Sequence, residues 1–256
     1  MEVAVLICGV ADPKWPLPQA ITLDALHAHA SRYAALSPFD EAALELALKL
    51  RDRDASVRVC ALVAGDDALA RRVAGWRPDS VHRVDLEGVP RWDAAAVAHA
   101  LAQALDALAR EAPLVLIGRE FGDWDDGTVP AALAQAAGRP CVALALAIDH
   151  RADAAWVLRQ GSASLERLRL PGRALLSATN DPGNRLRHPL MKNVMLAKKA
   201  AIPAWRAEAA ADALLSLQAV EPAAAPVRRA ACEWLEGSTQ DKAQALADLL
   251  RAATKA

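Results

Sequence analysis

The sequence feature that most constrains the fold is a continuous apolar run that ends abruptly in an acidic loop. Residues 114–117, LVLI, contain no polar member and follow a helical segment, which is typical of a parallel strand buried on both faces. Gly118 ends the run. The loop that follows carries three aspartates, Asp123, Asp125 and Asp126. In a doubly wound sheet, ligands bind where loops leave the carboxyl ends of central strands, so this loop is the best candidate for a binding site.

Two helix starts can be predicted from their capping residues. After the acidic loop, Thr128 can cap a helix that has Pro130 in its first turn and that Gly138 ends. Earlier in the chain, Ser37 is predicted to cap a helix over residues 38–50. Residues 22–35 fit a helix or a hairpin equally well.

Composition and charge exclude several classes of protein. Apolar residues make up 54% of the chain and the formal net charge is −1 at pH 7. A core can therefore form, but the chain lacks the basic excess of a nucleic-acid binder, and we expect no such partner. The four cysteines form no Cys-x-x-Cys pair, which favours reduced thiols over a disulfide framework. Since no apolar run approaches the length of a membrane span, we expect a cytoplasmic protein without membrane insertion.

The order of the predicted elements indicates the fold class. Strands and helices alternate as far as Gly138, which is typical of a parallel sheet with right-handed crossovers. Beyond it, strand-like segments are separated only by turns, and we expect them to add antiparallel strands: residues 142–148, 154–159, 164–170 and 174–178. The prediction is an α/β fold, a mostly parallel doubly wound sheet with antiparallel additions and a C-terminal arm.

Two parts of the chain are predicted from this pattern. Residues 1–200 form the α/β domain, and residues 201–256 form the extended arm. The composition of residues 222–227 is typical of a linker. Together with Glu221 the segment is EPAAAPV. A terminal helix over residues 239–253 carries Leu246, Leu249 and Leu250 on one side.

Four short motifs follow one another within roughly the first 200 residues. They are SPFDE at 37–41, GREFGDWD at 118–125 with a glycine at 138, a strand pair leading to LPGRALLS at 170–177, and NVMLAKK at 193–199. Each is weak alone. Their order and spacing resemble the β subunit of electron-transfer flavoproteins, whose motifs are N-P-F-[DE]-E, G-[KR]-Q-x-x-D-x-D, L-P-A-V-[VL]-[TS] and N-I-M-x-A-K-K.

The resemblance implies an electron carrier subunit rather than an enzyme. Such a β subunit pairs with an α subunit whose FAD collects electrons from a flavin-dependent dehydrogenase and passes them to a downstream oxidoreductase, both transient partners. It also implies an adenine-nucleotide-binding type of fold, with AMP or a second FAD between the first strand, the SPFDE helix start and the acidic loop. The cofactor-binding residues carried over to this chain are Cys8, Ser37, Phe39, Ala64, Asp123, Asp126, Gly127, Thr128 and Val129.

Several departures from the family pattern fall on this nucleotide pocket. Cys8 and Gly9 stand where the family has a basic pair, and Ser37 replaces its asparagine. Thr128 replaces a glutamine, and Pro130 removes an N–H donor that a phosphate would use. AMP, a second FAD and an empty β site therefore remain open alternatives.

The resemblance also predicts a docking segment for the dehydrogenase at residues 184–199. Aligning the NVMLAKK motif places Met191 at the position of the family's anchoring leucine. Met191 can alternatively be the first core residue of its helix. The docking residues implied are Arg187, Leu190, Met191, Lys198 and Lys199.

Rival functions have weaker support in the sequence. A universal-stress-type nucleotide-binding regulator without flavin would need a late G-x-x-G-x9-G-S loop, and a hydrolase would need a G-x-S-x-G elbow; neither occurs. The loop aspartates lack the spacing and distal glutamate of a calcium loop, so we predict no metal. His27 and His29 are predicted to be surface residues, and Trp15 and Trp124 to cover core edges rather than to stack on a ligand.

Overall fold

The computed structural model describes residues 1–151, 154–208, 215–223 and 234–254. The chain forms two units, Met1–Val220 and Glu221–Ala256. The first is an α/β unit built on a large sheet. Its strands are β1 (Glu2–Ile7), β2 (Val10–Ala11), β3 (Ala34–Ala35), β4 (Arg58–Val63), β5 (Ser80–Asp85), β6 (Leu114–Gly118), β7 (Cys141–Arg151), β8 (Ala154–Gln160), β9 (Leu165–Arg169), β10 (Ala174–Ala178) and β11 (Ala204–Arg206). Its helices are α1 (Leu23–Arg32), α2 (Pro38–Arg53), α3 (Asp67–Ala74), α4 (Ala94–Leu108), α5 (Val129–Ala136) and α6 (Met191–Ala197).

The large sheet has nine strands in the order β11-β5-β4-β1-β6-β10-β7-β8-β9. The pairings from β11 to β7 are parallel, and β8 and β9 add to β7 as antiparallel strands. The predicted fold class is confirmed. One detail differs, because residues 174–178 were expected among the antiparallel additions and instead form β10, parallel to both neighbours. All five β10 residues are buried, as expected for an interior strand of a parallel sheet covered on both faces.

Strand β1 lies at the point where the strand order reverses. Its partners are β4 on one side and β6 on the other. Val3, Val5 and Ile7 point into the core layer that contains α2. Ala4 and Leu6 point into the layer that contains α4 and α5. Because the carboxyl ends at such a reversal leave a crevice between diverging loops, this topology positions the candidate site.

The helix start at Ser37 is fixed by a reciprocal pair of hydrogen bonds. The N–H of Asp40 donates to Ser37 Oγ over 3.0 Å, and the N–H of Ser37 donates to Asp40 Oδ2 over 3.1 Å. This capping box confirms the predicted cap of α2 and brings the carboxylate of Asp40 into the interior. The ambiguous residues 22–35 form α1, capped by Thr22, and the short strand β3, which pairs with β2.

The second unit contains helix α7 (Thr239–Thr254). It corresponds to the predicted terminal helix, and Leu246, Leu249 and Leu250 are 50–61% exposed. Residues 224–227 of the predicted linker lie outside the described residues, as does Cys232. The predicted domain end at residue 200 precedes β11, which pairs with β5 inside the first unit. None of the helices that the structure describes is long and apolar enough to cross a membrane.

Candidate functional site

A cleft opens at the carboxyl ends of β1, β4 and β5. Its volume is about 440 Å³, within the range of roughly 300–1,000 Å³ that small-molecule sites occupy. The loops after these strands and the acidic loop after β6 form its walls. Its lining residues include Cys8, Asp66, Leu69, Leu86, Arg91 and Asp123.

The end of β1 is held by the buried carboxylate of Asp40. The N–H groups of Cys8 and Gly9 donate to its two oxygens over 3.3 and 3.1 Å, and Ser37 Oγ donates to Oδ2 over 2.9 Å. Gly9 has φ +76°, a conformation that other residues rarely adopt, and a Cβ there would lie 3.0 Å from the carbonyl oxygen of Ala35, so the position favours glycine. Burial raises the pKa of Asp40, and the hydrogen bonds from Ser37, Cys8 and Gly9 oppose that rise. Helix α2 therefore fixes the exit of β1 into the cleft.

Cys8 lies half-buried in the cleft wall beside a guanidinium group. Arg91 Nη1 is 3.8 Å from Cys8 Sγ. Burial raises the pKa of the Cys8 thiol from 9.0 to about 12, and the positive charge of Arg91 offsets only part of this rise. The thiol is therefore neutral at physiological pH.

The helix after the acidic loop is capped by Asp125 and not by Thr128. Asp125 Oδ1 accepts from the N–H groups of Gly127, Thr128 and Val129 over 2.8–3.0 Å. The Thr128 hydroxyl instead donates to Asp126 Oδ1 over 2.8 Å. The predicted Thr128 cap is wrong: its side chain makes no capping hydrogen bond, and Pro130, the second residue of the helix, has no N–H for it to accept. These three backbone donors already have an anionic partner within the chain.

Asp123 joins the acidic loop to the start of the chain. Its Oδ2 accepts from the N–H of Ala11 over 2.8 Å. Burial raises its pKa, and the hydrogen bond from Ala11 opposes the rise. Unlike Asp125, this carboxylate lines the cleft. The aspartates of the loop thus have structural partners, and in the described part of the chain no group of three or more His, Cys, Asp or Glu residues is arranged to hold a metal ion.

The predicted cofactor-binding residues divide into two groups in space. Cys8, Ala64 and Asp123 line the cleft. The others do not line it. Ser37 is buried against Asp40, and Phe39 packs below Gly118 with Arg119 over its ring, 4.6 Å from the centroid. The remaining four are Asp126, Gly127, Thr128 and Val129, which belong to the capped helix start.

Sequence reasoning missed two carboxylates and one cation in this region. Asp40 could have been found from its position three residues after Ser37, which is the spacing of a capping box. Asp125 was quoted within a motif but was not assigned a role. Arg91 carries no recognisable local motif, and only the fold brings it to Cys8. Of the predicted surface histidines, His29 is buried.

The predicted docking segment forms an exposed apolar surface on α6. Leu190 is 70% exposed and Met191 75% exposed. Val194, one turn further along the helix, packs against Gly75 at the end of α3. In this chain Met191 is therefore not part of the core. Lys198 and Lys199 are also exposed and have no ion pair among the described residues.

Arg187 differs from the other predicted docking residues because it points inward. Its guanidinium donates to Glu45 Oε1 over 2.8 Å from Nη2 and to Glu45 Oε2 over 3.0 Å from Nε, and its N–H also reaches Oε2 over 3.2 Å. Asp52 accepts from Nη1 over 2.5 Å. Hydrogen bonds from the guanidinium to Glu45 and Asp52 raise the pKa of Arg187. Trp76 Nε1 donates to the carbonyl of Arg187 over 2.6 Å, so α2 and α3 together hold the segment that leads into α6.

The acidic loop and the docking segment lie within a region that matches a known protein family. The family model described as electron transfer flavoprotein domain matches residues 26–210. The chain belongs to this family. It is 29% identical over 191 residues to the electron transfer flavoprotein subunit beta of Megasphaera elsdenii, a match that covers 71% of this chain and 70% of that protein.

The matched region runs from within α1 to beyond β11, so it includes the docking segment and the cleft walls after β4, β5 and β6, whereas β1 and Cys8 precede it. The resemblance found from the four short motifs is confirmed, and the chain is an electron transfer flavoprotein of the β type. The universal-stress alternative is not favoured by these matches.

Proposed function

We propose that this chain is the β subunit of a heterodimer whose α subunit carries FAD, and that the pair passes electrons from a flavin-dependent dehydrogenase to a downstream oxidoreductase. The observation that carries the proposal is the family match over residues 26–210, which contains β4, β5, the acidic loop and α6. The subunit is an electron carrier and not an enzyme. The described cysteines are free thiols, in keeping with a cytoplasmic location.

The α subunit is proposed to cover apolar surface that this chain leaves exposed. Within the second unit, Leu246, Leu249 and Leu250 lie along one helix with half or more of each side chain exposed. Apolar surface of this kind favours association. The arm from residue 201 onward is proposed to contribute these contacts.

AMP is the nucleotide proposed for the cleft of this subunit. The cleft lies at the reversal of strand order, where α/β sheets bind ligands, and its walls combine apolar and charged side chains. Its volume, about 440 Å³, lies near the lower end of the range for ligand sites, which favours a mononucleotide over a second FAD. The amides of Gly127, Thr128 and Val129 do not fit a phosphate, since Asp125 already binds them.

The dehydrogenase is proposed to bind the apolar surface formed by Leu190 and Met191. A few buried anchors can dominate the affinity of a small interface. Exposed lysines next to these anchors, Lys192, Lys198 and Lys199, can attract an acidic partner and speed the encounter. Arg187 contributes through its inward contacts, because Glu45 and Asp52 neutralise its charge.

The Met191→Ala variant of the α/β complex tests this function. Loss of one buried anchor of about 2 kcal/mol or more should lower electron transfer from the dehydrogenase by at least about tenfold at limiting concentration. The FAD content and melting temperature should not change, because Met191 is exposed. Leu165→Ala is the matched control, since Leu165 is 63% exposed on β9, away from α6.

Three results would contradict the proposal in different ways. Failure of the wild-type chain to form a flavin-containing complex on co-expression with an α subunit would exclude the heterodimer. A stable complex with equal transfer rates for Met191→Ala and wild type would exclude the docking surface alone. A lower melting temperature with unchanged transfer per folded molecule would make Met191 a structural residue.

A further inference from the structure

We propose that Arg91 holds the anionic group of the nucleotide in the cleft, in place of the helix-start amides at residues 127–129. The inference rests on the proposed nucleotide binding and adds a residue that the sequence did not indicate. Arg91 lies in the loop between β5 and α4, and it lines the cleft together with Cys8. A guanidinium suits this task because it is always charged and can donate two parallel hydrogen bonds to a phosphate.

The acidic side chains that line the cleft are occupied elsewhere. Asp66 caps α3 by accepting from the N–H of Leu69 over 2.8 Å. Glu87 pairs with Arg206 over 3.0 Å. Asp123 accepts from Ala11, as described above. None of these carboxylates forms an ion pair with Arg91 among the described residues.

The second arginine of the cleft differs from Arg91 in its pairing. Arg83 Nε lies 3.2 Å from Asp67 Oδ1, and its Nη1 lies 3.7 Å from Asp85 Oδ2. Two carboxylates therefore offset its charge. Within the part of the chain that the structure describes, Arg91 is the lining arginine that has no carboxylate partner.

The contact that Arg91 does make is to an uncharged group. Its neighbour is the sulfur of Cys8, and a thiol with a pKa of about 12 is uncharged at pH 7. Asp40 and Asp123 lie near enough to raise that pKa, so a ligand anion would meet repulsion from two carboxylates. Arg91 is positioned to offset this repulsion, and binding of the anion should therefore depend strongly on Arg91.

The apolar part of the cleft indicates what is attached to the anion. Leu69, Leu86 and Val89 line the same space, and side chains of this kind can cover a planar base. An apolar wall with one convergent cation is typical of small-ligand sites. A nucleoside monophosphate fits this chemistry better than either a free anion or an uncharged nucleoside.

The test compares AMP, adenosine and inorganic phosphate as ligands of the purified α/β complex by isothermal titration calorimetry. Nucleotide already bound is first removed, identified and quantified by chromatography after denaturing a sample. Arg91→Gln should weaken AMP binding by at least about tenfold, the loss of a charge-assisted hydrogen bond, and should change adenosine binding by less than about threefold. Arg91→Lys should restore part of the loss. The matched control is Arg32→Gln, which removes the same charge from α1, where Arg32 lies over the Tyr33 ring.

Each outcome decides a separate point. Equal AMP affinity for wild type and Arg91→Gln would overturn the assignment of Arg91. No AMP binding by the wild-type complex, with none released on denaturation, would overturn it as well and would leave the cleft without a nucleotide. A similar loss of AMP affinity in Arg32→Gln would show that the effect of Arg91→Gln comes from the net charge and not from contact with the ligand. A wild-type preparation that lacks FAD or the α subunit would instead contradict the proposed heterodimer.

Discussion

Replacing Glu45 with glutamine should loosen the docking segment without disturbing the sheet. The side chain of Glu45 is only 5% exposed, whereas that of Arg187 is 39% exposed. Glu45→Gln keeps one acceptor but removes the negative charge. Hydrogen bonds to charged groups contribute about 1.5–3 kcal/mol each, and Arg187 keeps its ion pair with Asp52. We therefore expect a loss of about 2 kcal/mol, near the lower part of that range.

The partner variant should cost more. Arg187→Met leaves the carboxylate of Glu45 buried without its cation, and breaking a buried pair in this way costs about 3–5 kcal/mol. The double variant should recover part of this loss, because both charges are then absent. A coupling of at least about 1 kcal/mol between the two positions is expected, well above the error of about 0.3–0.5 kcal/mol for independent sites.

Hydrogen exchange of the α/β complex shows where the loosening occurs. Peptides over residues 182–199 should exchange faster in Glu45→Gln, since the N–H of Arg187 loses a charged acceptor, while peptides over β6 should not change. The melting temperature should fall by about 4–8 °C, at about 2–4 °C per kcal/mol for a domain of this size. Unchanged exchange in 182–199, or single effects that simply add in the double variant, would refute the reasoning.

Two further predictions concern the cleft and the acidic loop. Asp125→Ala should destabilise the protein by about 1–2 kcal/mol, the usual cost of losing a helix cap, whereas Thr128→Ala should cost less than about 0.5 kcal/mol. The two variants are compared by their denaturant midpoints. A larger loss for Thr128→Ala than for Asp125→Ala would contradict the assignment of the cap. Because the folded pKa of Cys8 is about 12 and its ordinary value is 9.0, stability from the neutral thiol is complete below pH 9 and is lost as the pH rises toward 12. At pH 8 only about one Cys8 thiol in ten thousand would be ionised. Iodoacetamide should therefore label the exposed Cys141 well before Cys8, as followed by peptide mass spectrometry. Equal labelling rates would refute the raised pKa of Cys8.

The strand pattern of the sheet could be predicted from the sequence because burial on both faces leaves continuous apolar runs. Residues 114–117 gave such a signal and form β6. The position of β10 could not be predicted in the same way. Its apolar run follows a hairpin, so proximity in sequence favoured an antiparallel neighbour, whereas the chain returns to the middle of the sheet and pairs with β6 and β7.

The candidate site was less accessible to sequence reasoning because its contacts join distant residues. The loop DWDDGT offers three carboxylates and a hydroxyl as possible caps, and the choice depends on Gly127, whose φ of +101° turns the following amides toward Asp125. The charge of Arg187 is visible in the sequence, but its partner Glu45 lies 142 residues earlier. Pairings of this kind become visible only when the helices are placed on the sheet.

The central place of β1 has a consequence for the order in which the chain can fold. Strand β1 is synthesised before its partners β4 and β6, which begin only at residues 58 and 114. Contacts so distant in sequence require large loops to close before any pairing is gained, which slows folding. Until then the segment VAVLI, apolar throughout and free of proline and charge, remains exposed to other nascent chains. The strand that organises the finished sheet is therefore also a segment that needs protection during synthesis.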